Sequence, residues 1–223
     1  MTAKSAVLSR LRSALQVSGD DTARKAAVAA RLKSAPIGVI PARGQLPAKD
    51  QVALFLAMIE RVSVTVTRIK SADKAPEAVS AYLRSRNLPA RLRMGADKRL
   101  AAMPWGKQKN LEIKNGASDG NDEVCVSHAF GGIAETGTLL LVSGPDNPTT
   151  LNFLPENHVV VLNASDIKGD LETLMSELRK IYGRGEMPRT VNLVTGPSRS
   201  GDIEQTILLG AHGPRALHLV LVG

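Results

Sequence analysis

The chain has 223 residues, of which 43% are hydrophobic and only 3% are aromatic, and its formal net charge is +8. This length supports either one sizeable apolar core or a core together with a helical appendage, and Val, Leu, Ile and Ala must fill that core. No apolar run approaches the ~18 residues that a bilayer crossing needs, and no secretory hydrophobic segment is present. We therefore expect a cytoplasmic protein without a membrane span.

The charge is distributed unevenly along the chain. Up to Lys114 there are 22 Lys and Arg against 8 Asp and Glu, whereas from Asn115 onward there are 7 against 13. A basic first half attracts nucleic acid, acidic proteins or small anions. The sequence has no aromatic-studded RNA-binding strand, no zinc-finger spacing and no evident recognition helix, so we expect no nucleic-acid partner. An acidic partner subunit, or simple solvation, accounts better for the charge.

The first ~35 residues predict two Ala- and Arg-rich helices that are broken near Ser18 and Gly19. Residues 36–47 contain three prolines and two glycines, which is typical of a loop or linker. The sequence thus predicts an N-terminal helical arm and linker over residues 1–47, followed by one main domain over residues 48–223.

Short apolar runs alternate with amphipathic segments through the main domain. Helices are predicted over residues 50–60, 74–86, 170–182 and 202–209, and an irregular loop over residues 103–122. Strands are predicted over residues 62–69, 90–94, 124–127, 138–142, 159–162, 191–195 and 217–222. Such alternation indicates an α/β fold with a mostly parallel sheet covered by helices on both faces.

Residues 196–213, GPSRSGDIEQTILLGAHG, follow the predicted strand 191–195. A strand, a Gly/Ser-rich turn and a helix N-terminus together make an anion-receptive geometry, because backbone N–H groups converge there. Ser198, Arg199 and Ser200 are therefore candidate substrate-binding residues, with the Arg199 guanidinium suited to a carboxylate or phosphate. Since ligands of open α/β sheets lie beyond the carboxyl ends of strands, this turn is expected at that edge. The alternative is structural: Asp202 and Gln205 fit a capping box that only starts a helix.

A second motif, residues 131–138 with the sequence GGIAETGT, leads into the predicted strand 138–142. Glu135 is a candidate catalytic base, although a carboxylate in such a turn commonly accepts backbone N–H bonds instead. Thr136, Gly137 and Thr138 are candidate substrate-binding residues, or they satisfy the turn backbone.

Histidine and cysteine usage limits the remaining chemistry. His212 lies in a predicted turn and is the best acid/base candidate of the four histidines, whereas His158 and His218 fit structural roles in strands. No zinc-binding spacing and no nucleotide-binding glycine motif occurs, so we expect no metal and no cofactor. Cys125 is the only cysteine and fits a small core residue, and an iron–sulfur cluster needs about four thiolates.

In order and spacing, several motifs of the C-terminal half resemble the LUD-domain family. They are ETGT at 135–138, residues 155–158, GPSR at 196–199 with residues 202–204, and GAHGP at 210–214 with Leu217 and His218. The resemblance implies a fold like that of sugar-phosphate isomerases, CoA transferases and formyltetrahydrofolate cyclo-ligases. It also implies a role beside iron–sulfur subunits in oxidising L-lactate to pyruvate.

Two other functions remain open. By analogy with CoA transferases, Glu135 would be a carboxylate nucleophile or base in a self-sufficient enzyme, with Arg199 holding a small carboxylate, a CoA ester or a phosphorylated sugar. The third possibility is a module that senses an anion without catalysis.

Overall fold

The computed structural model describes residues 2–34, 37–183, 185–203 and 206–223. The chain divides into two compact units, Met1–Val39 and Ile40–Gly223. The predicted domain boundary at residues 47 and 48 stays a prediction.

The first unit consists of the two predicted helices, α1 (Ala3–Ala14) and α2 (Thr22–Ser34). Thr2 caps α1, because its Oγ1 accepts a hydrogen bond from the backbone N–H of Ser5 at 3.3 Å. Neither helix has a buried residue. Apolar side chains of both helices line one concave face: Leu8, Leu11, Leu15, Val28 and Leu32.

The second unit is the α/β domain. Its helices are α3 (Ala48–Arg61), α4 (Ala75–Ser85), α5 (Lys98–Ala101), α6 (Thr150–Phe153) and α7 (Leu171–Tyr182). Its strands are β1 (Thr65–Ile69), β2 (Arg91–Met94), β3 (Glu112–Asn115), β4 (Val124–His128), β5 (Gly131–Ile133), β6 (Thr138–Val142), β7 (Asn157–Asn163), β8 (Ile167–Lys168), β9 (Val191–Val194), β10 (Arg199–Ile203), β11 (Thr206–Leu209) and β12 (Ala216–Val222).

The central sheet has six strands in the order β1-β12-β7-β4-β2-β3, and every neighbouring pair is parallel. The predicted α/β fold with a mostly parallel sheet is therefore confirmed. A second sheet, β8-β5-β6-β9, is mostly antiparallel, and β10 pairs with β11 as a separate hairpin.

Both faces of the central sheet are buried. Alternate residues of β7 point to opposite sides: Val159 and Val161 pack with α4, whereas Val160 and Leu162 pack with Phe55 of α3. This arrangement explains why β7 is a nearly continuous apolar run in the sequence.

Two predicted elements are wrong. The described residues of 199–209 form the β10–β11 hairpin rather than a helix. Glu204 and Gln205 lie outside the described residues. The predicted irregular loop 103–122 contains β3, which pairs with β2 at the sheet edge. A short polar edge strand has no apolar alternation by which the sequence would reveal it.

None of the described helices combines the length and apolar composition that a membrane crossing requires.

Candidate functional site

Ser198 connects the turn after β9 with the loop at residues 210–214 through three hydrogen bonds. Its backbone N–H donates to the carbonyl of Pro214 at 2.8 Å, and its carbonyl accepts from the N–H of Gly210 at 3.0 Å. Its Oγ accepts a third bond from the N–H of His212 at 3.3 Å. The predicted residues Ser198 and His212 are thus brought together by the fold.

Arg199 lies at the C-terminal end of α3. Its Nη2 donates to the carbonyl of Val62 at 3.0 Å and to Ser63 Oγ at 2.6 Å, and Val62 is the C-cap of α3. A cation at this position complements the negative end of the helix dipole. The guanidinium is exposed, so Arg199 combines a structural contact with a charge that faces solvent.

A cavity of about 270 Å³ opens beside these residues. Its polar lining side chains are Asn152, His158, Thr195, Ser198, Arg199 and His212. His158 and Leu217, which also lines the cavity, are paired near the amino ends of β7 and β12.

The expectation that this turn lies at the carboxyl ends of the parallel strands is therefore wrong. The turn does follow a strand, but that strand is β9, which pairs antiparallel with β6 in the second sheet. The cavity lies at the amino edge of the central sheet instead. The helix N-terminus that the anion prediction assumed is replaced by β10, and Ser200 lies in that strand opposite Leu208.

His158 is the most buried polar side chain of the cavity, with no exposed surface. Its Nε2 lies 3.0 Å from Ser127 Oγ, and Ser127 in turn donates to Asn152 Oδ1 at 3.0 Å. His158 Nδ1 is buried without a hydrogen-bond partner among the described residues. Burial lowers the pKa of His158 to about 3, so the ring is neutral at pH 7.

Three threonine hydroxyls connect the turn at residues 135–138 with the residue that precedes the second motif. Thr136 Oγ1 lies 2.7 Å from Thr138 Oγ1, which lies 2.7 Å from Thr195 Oγ1 at the cavity. The β6–β9 pairing places Thr138 beside Thr195, because Leu139 is opposite Val194.

Gly137 shapes the turn that carries these threonines. Its φ is +65°, and a Cβ there would lie 2.6 Å from the backbone nitrogen of Ile59 in α3. Only glycine satisfies both the backbone conformation and this close approach.

Glu135 lies away from the cavity lining, at the N-terminus of α7. Its Oε1 accepts from the N–H of Leu171, the first residue of α7, at 3.3 Å, and its Oε2 lies 3.7 Å from Nε of Arg43. A buried carboxylate at a helix N-terminus complements the dipole. These contacts support the structural alternative, and a catalytic role for Glu135 stays a prediction.

The sequence did not identify His158, Thr195, Ser127 or Asn152 as members of one group. They stand in strands, a loop and the short helix α6 with no distinctive local pattern, and their shared position depends on the pairing of β7 with β4 and β12. Cys125 is buried in β4, where burial raises the pKa of its thiol to about 12.

A second cleft, of about 420 Å³, lies at the carboxyl edge of the central sheet near the ends of β2 and β4. Arg99 and His128 line it. Arg99 donates from Nη2 to Asp97 Oδ2 at 2.7 Å and from Nη1 to the carbonyl of Ala129 at 3.1 Å. Burial opposes the ionisation of Asp97, but hydrogen bonds from Arg99 and Asn147 hold the pKa of its carboxyl well below the usual value. None of the residues that line this cleft belongs to the sequence motifs.

Comparisons with known proteins identify the family of this sequence. The LUD domain profile matches residues 52–222. An uncharacterised protein of Neisseria meningitidis is 38% identical over 102 residues, which are 46% of this chain and 43% of that protein. Lactate utilization protein C of Anoxybacillus flavithermus is 34% identical over 90 residues, which are 40% of this chain and 39% of that protein.

These matched segments span less than half of each relative's length. The crystal structure of a DUF162 family protein from Deinococcus radiodurans shares the fold, with a TM-score of 0.58 and 19% identity, over 80% of this chain and 99% of that chain. Because the profile covers almost the whole α/β unit, the chain belongs to the LUD domain family.

Proposed function

We propose that this protein takes part in lactate utilization as a subunit that binds a small carboxylate and carries no iron–sulfur cluster of its own. The relatives named lactate utilization protein C support the process. The single cysteine supports a subunit without a cluster of its own, since an iron–sulfur cluster needs about four thiolates. Electrons from the substrate would pass to iron–sulfur partner subunits.

The observation that carries the ligand class is the cavity beside Arg199. A volume of about 270 Å³ suits a molecule of a few heavy atoms, because ligand pockets for drug-sized molecules begin near 300 Å³. The Arg199 guanidinium at its rim attracts a carboxylate, and Ser198 and Thr195 provide hydroxyl groups beside it. The ligand would enter with its carboxylate toward Arg199.

Isothermal titration calorimetry on the purified full chain tests this binding directly. The panel contains L-lactate, pyruvate, propionate and phosphorylated sugars. We expect binding of the small carboxylates and none of the sugars. Heat only from a phosphorylated sugar, or from no member of the panel, contradicts the proposal.

A matched control distinguishes the two cavities. A Cβ at Gly144 meets no atom within 4 Å, so Gly144→Leu fills the cleft at the carboxyl edge without disturbing the backbone. If the ligand occupies the cavity beside Arg199, Gly144→Leu leaves lactate affinity unchanged. Loss of binding in Gly144→Leu would assign the ligand to the other cleft.

The partner role needs a test in the cell. We expect the protein to co-purify with iron–sulfur proteins from its native host, and its deletion to impair growth on L-lactate. Normal growth on L-lactate after deletion, in a host without a second copy, contradicts the proposal.

The alternative of a self-sufficient enzyme rests on Glu135. It predicts that the purified protein alone turns over a carboxylate or CoA ester and that Glu135→Gln abolishes the turnover. The absence of turnover in the wild-type protein across that panel supports the subunit role.

A further inference from the structure

The cleft at the carboxyl edge of the central sheet lies where open α/β sheets bind ligands. Arg99, in the connection after β2, and His128, the last residue of β4, both line it. β2 and β4 are neighbours, but the next strand of the central sheet after β2 is β3 on one side, and the next after β4 is β7 on the other side. Ligands bind beyond the carboxyl ends of strands whose connections diverge in this way. The proposed lactate site lies in the other cavity, so this cleft is free for a different ligand.

Arg99 is held in place in the cleft and keeps unused N–H groups. Its Nε and Nη2 donate to the two carboxylate oxygens of Asp97 at 3.0 and 2.7 Å, and its Nη1 donates to the carbonyl of Ala129 at 3.1 Å. Asp97 is buried and also accepts from Asn147 Nδ2 at 2.9 Å. A guanidinium has five N–H groups, so two have no partner among the described residues, and the side chain is 41% exposed. Asp146, the one acid that lines the cleft, is exposed, so solvent screens its repulsion of an anion.

His128 presents an unprotonated ring nitrogen to the same cleft. Its Nδ1 lies 2.8 Å from the carbonyl oxygen of Ala129. Because a carbonyl oxygen only accepts, Nδ1 carries the proton of the neutral ring. Burial lowers the pKa of His128 below its usual value, which keeps the ring neutral at pH 7. Nε2 has no hydrogen-bond partner among the described residues and, unlike Nδ1 of His158, is not sealed from solvent, so it is an acceptor for a ligand in the cleft.

Aromatic and apolar side chains form much of the remaining wall. Only 3% of the residues are aromatic, yet Phe130 and Tyr182 both line this cleft. Ile181 and Tyr182, the last two residues of α7, are 68% and 38% exposed. Large exposed apolar side chains beside a cleft are typical of a binding surface. Aromatic faces favour a ligand with a planar ring, because nucleobases and other flat rings stack on them.

We propose that this cleft is a second ligand site, independent of the cavity beside Arg199, and that it binds a nucleoside monophosphate. The phosphate accepts from the two remaining N–H groups of Arg99, and the base packs against Phe130 and Tyr182. An N–H group of the base donates to His128 Nε2. The volume of about 420 Å³ lies in the range of small-molecule sites. No glycine-rich phosphate motif is needed, because a guanidinium binds the phosphate in place of a helix N-terminus.

Isothermal titration calorimetry on the full chain tests this site with AMP, GMP, CMP and UMP. Ribose 5-phosphate keeps the phosphate and the sugar but lacks the base, and each nucleoside lacks the phosphate. We expect at least one nucleotide to bind, and to bind at least about tenfold more tightly than ribose 5-phosphate and than its own nucleoside, because stacking and a charge-assisted contact each contribute that much. No heat from any nucleotide, or equal affinity for a nucleotide and its nucleoside, overturns the inference and leaves the proposed lactate function intact.

Variants of the two cavities assign the nucleotide to the cleft. A Cβ at Gly144 meets no atom within 4 Å, so Gly144→Leu fills the cleft and should abolish nucleotide binding. Arg199→Met, at the other cavity, should leave it unchanged. Tyr182→Leu should weaken binding about tenfold, whereas Tyr182→Phe, which keeps the ring, should preserve it. Nucleotide binding that survives Gly144→Leu overturns the inference.

Nitrogen-15 NMR of the histidine rings tests the role of His128 in the wild-type protein. His128→Gln identifies its resonances by their loss. We expect an unprotonated Nε2 whose resonance shifts with the bound nucleotide and not with ribose 5-phosphate. A protonated Nε2 in the ligand-free protein, or a resonance that the nucleotide leaves unchanged, contradicts the inference.

Discussion

The hydroxyl oxygens of Thr138 and Thr195 lie 2.7 Å apart, and this contact joins two residues that are 57 positions apart in the sequence. Thr138 is buried at the start of β6, and Thr195 follows β9 directly at the cavity. The antiparallel pairing of these strands makes the contact possible. The ETGT turn is therefore hydrogen-bonded to a residue that lines the cavity.

Thr138→Val tests that connection. Val has nearly the same shape but lacks the hydroxyl, so the bonds to Thr136 and Thr195 are lost. We expect the free energy of unfolding to fall by about 1 kcal/mol, the usual net value of such a bond. Urea denaturation measures the change, with Thr67→Val in β1 as the control outside this group of hydroxyls. An equal loss in both variants would show that the Thr138 contact carries no particular weight.

Arg199→Met tests separately the proposed ligand contact of Arg199 and its contact with the end of α3. Met keeps much of the apolar stem and removes the guanidinium. We expect carboxylate affinity to fall about ten- to a hundredfold, because a charge-assisted contact contributes roughly 1.5–3 kcal/mol. The loss of the bonds to Val62 and Ser63 should cost about 1 kcal/mol or less of stability, since the side chain is exposed.

Arg68→Met is the control for Arg199→Met, because Arg68 is an exposed arginine of β1 that does not line the cavity. It should change neither affinity nor stability. Strong destabilisation of Arg199→Met with unchanged ligand binding would show that Arg199 serves α3 alone.

Acid stability should depend on His158. Burial lowers its pKa to about 3 in the folded protein, whereas an unfolded histidine has a pKa of about 6.5. The unfolded state therefore binds the proton first, and the stabilising contribution is complete above pH ~6.5 and declines as the pH falls toward 3. Burial of His218, which lowers its pKa to about 4, acts in the same direction.

Urea denaturation between pH 7 and pH 5 measures this dependence. We expect His158→Gln to reduce the slope of the unfolding free energy against pH, by up to about 1.4 kcal/mol per pH unit for one proton. Thr67→Val in β1 removes no ionisable group, so it is the control and should leave the slope unchanged. An unchanged slope in His158→Gln would mean that this histidine titrates normally in the folded protein.

Gly44 and Gly169 should tolerate no side chain. A Cβ at Gly44 would lie 2.1 Å from the carbonyl oxygen of Gly169, and a Cβ at Gly169 would lie 2.0 Å from that of Gly44. We expect Gly44→Ala to lower the unfolding free energy by about 1–3 kcal/mol, because one backbone segment must move. Gly106→Ala is the control, since a Cβ there meets nothing within 4 Å. Similar melting temperatures for the two variants would contradict the close approach.

Deletion of the residues before Pro36 tests the arm. Its two helices bury no side chain within their own unit, and short isolated helices are marginal in water. We expect the remaining α/β unit to unfold cooperatively in urea and the complex with partner subunits to weaken in size-exclusion chromatography. A wholly insoluble truncated protein would show that the arm belongs to the core.

The local sequence determined the elements whose pattern is strong. β6 and β12 are mostly apolar runs, and α7 has an amphipathic pattern with an aspartate cap, so their positions could be predicted within one or two residues. The α/β class followed from their alternation. The β10–β11 hairpin could not be predicted, because the spacing of Ile203, Ile207 and Leu208 fits a helix equally well. Pairing across the hairpin, between Arg199 and Leu209, overrides that local preference.

Tertiary structure alone decided what the motif residues contact. Glu135 meets the N-terminus of α7 and Arg199 meets the C-terminus of α3, and these partners lie 36 and 137 residues away in the sequence. The neighbours of His158 likewise follow from the register of three parallel strands. Sequence patterns report which side chains a strand or helix carries and which face they occupy. The physical chemistry of the cavity depends instead on long-range pairing, which brings a buried histidine, a guanidinium and several hydroxyls to one place.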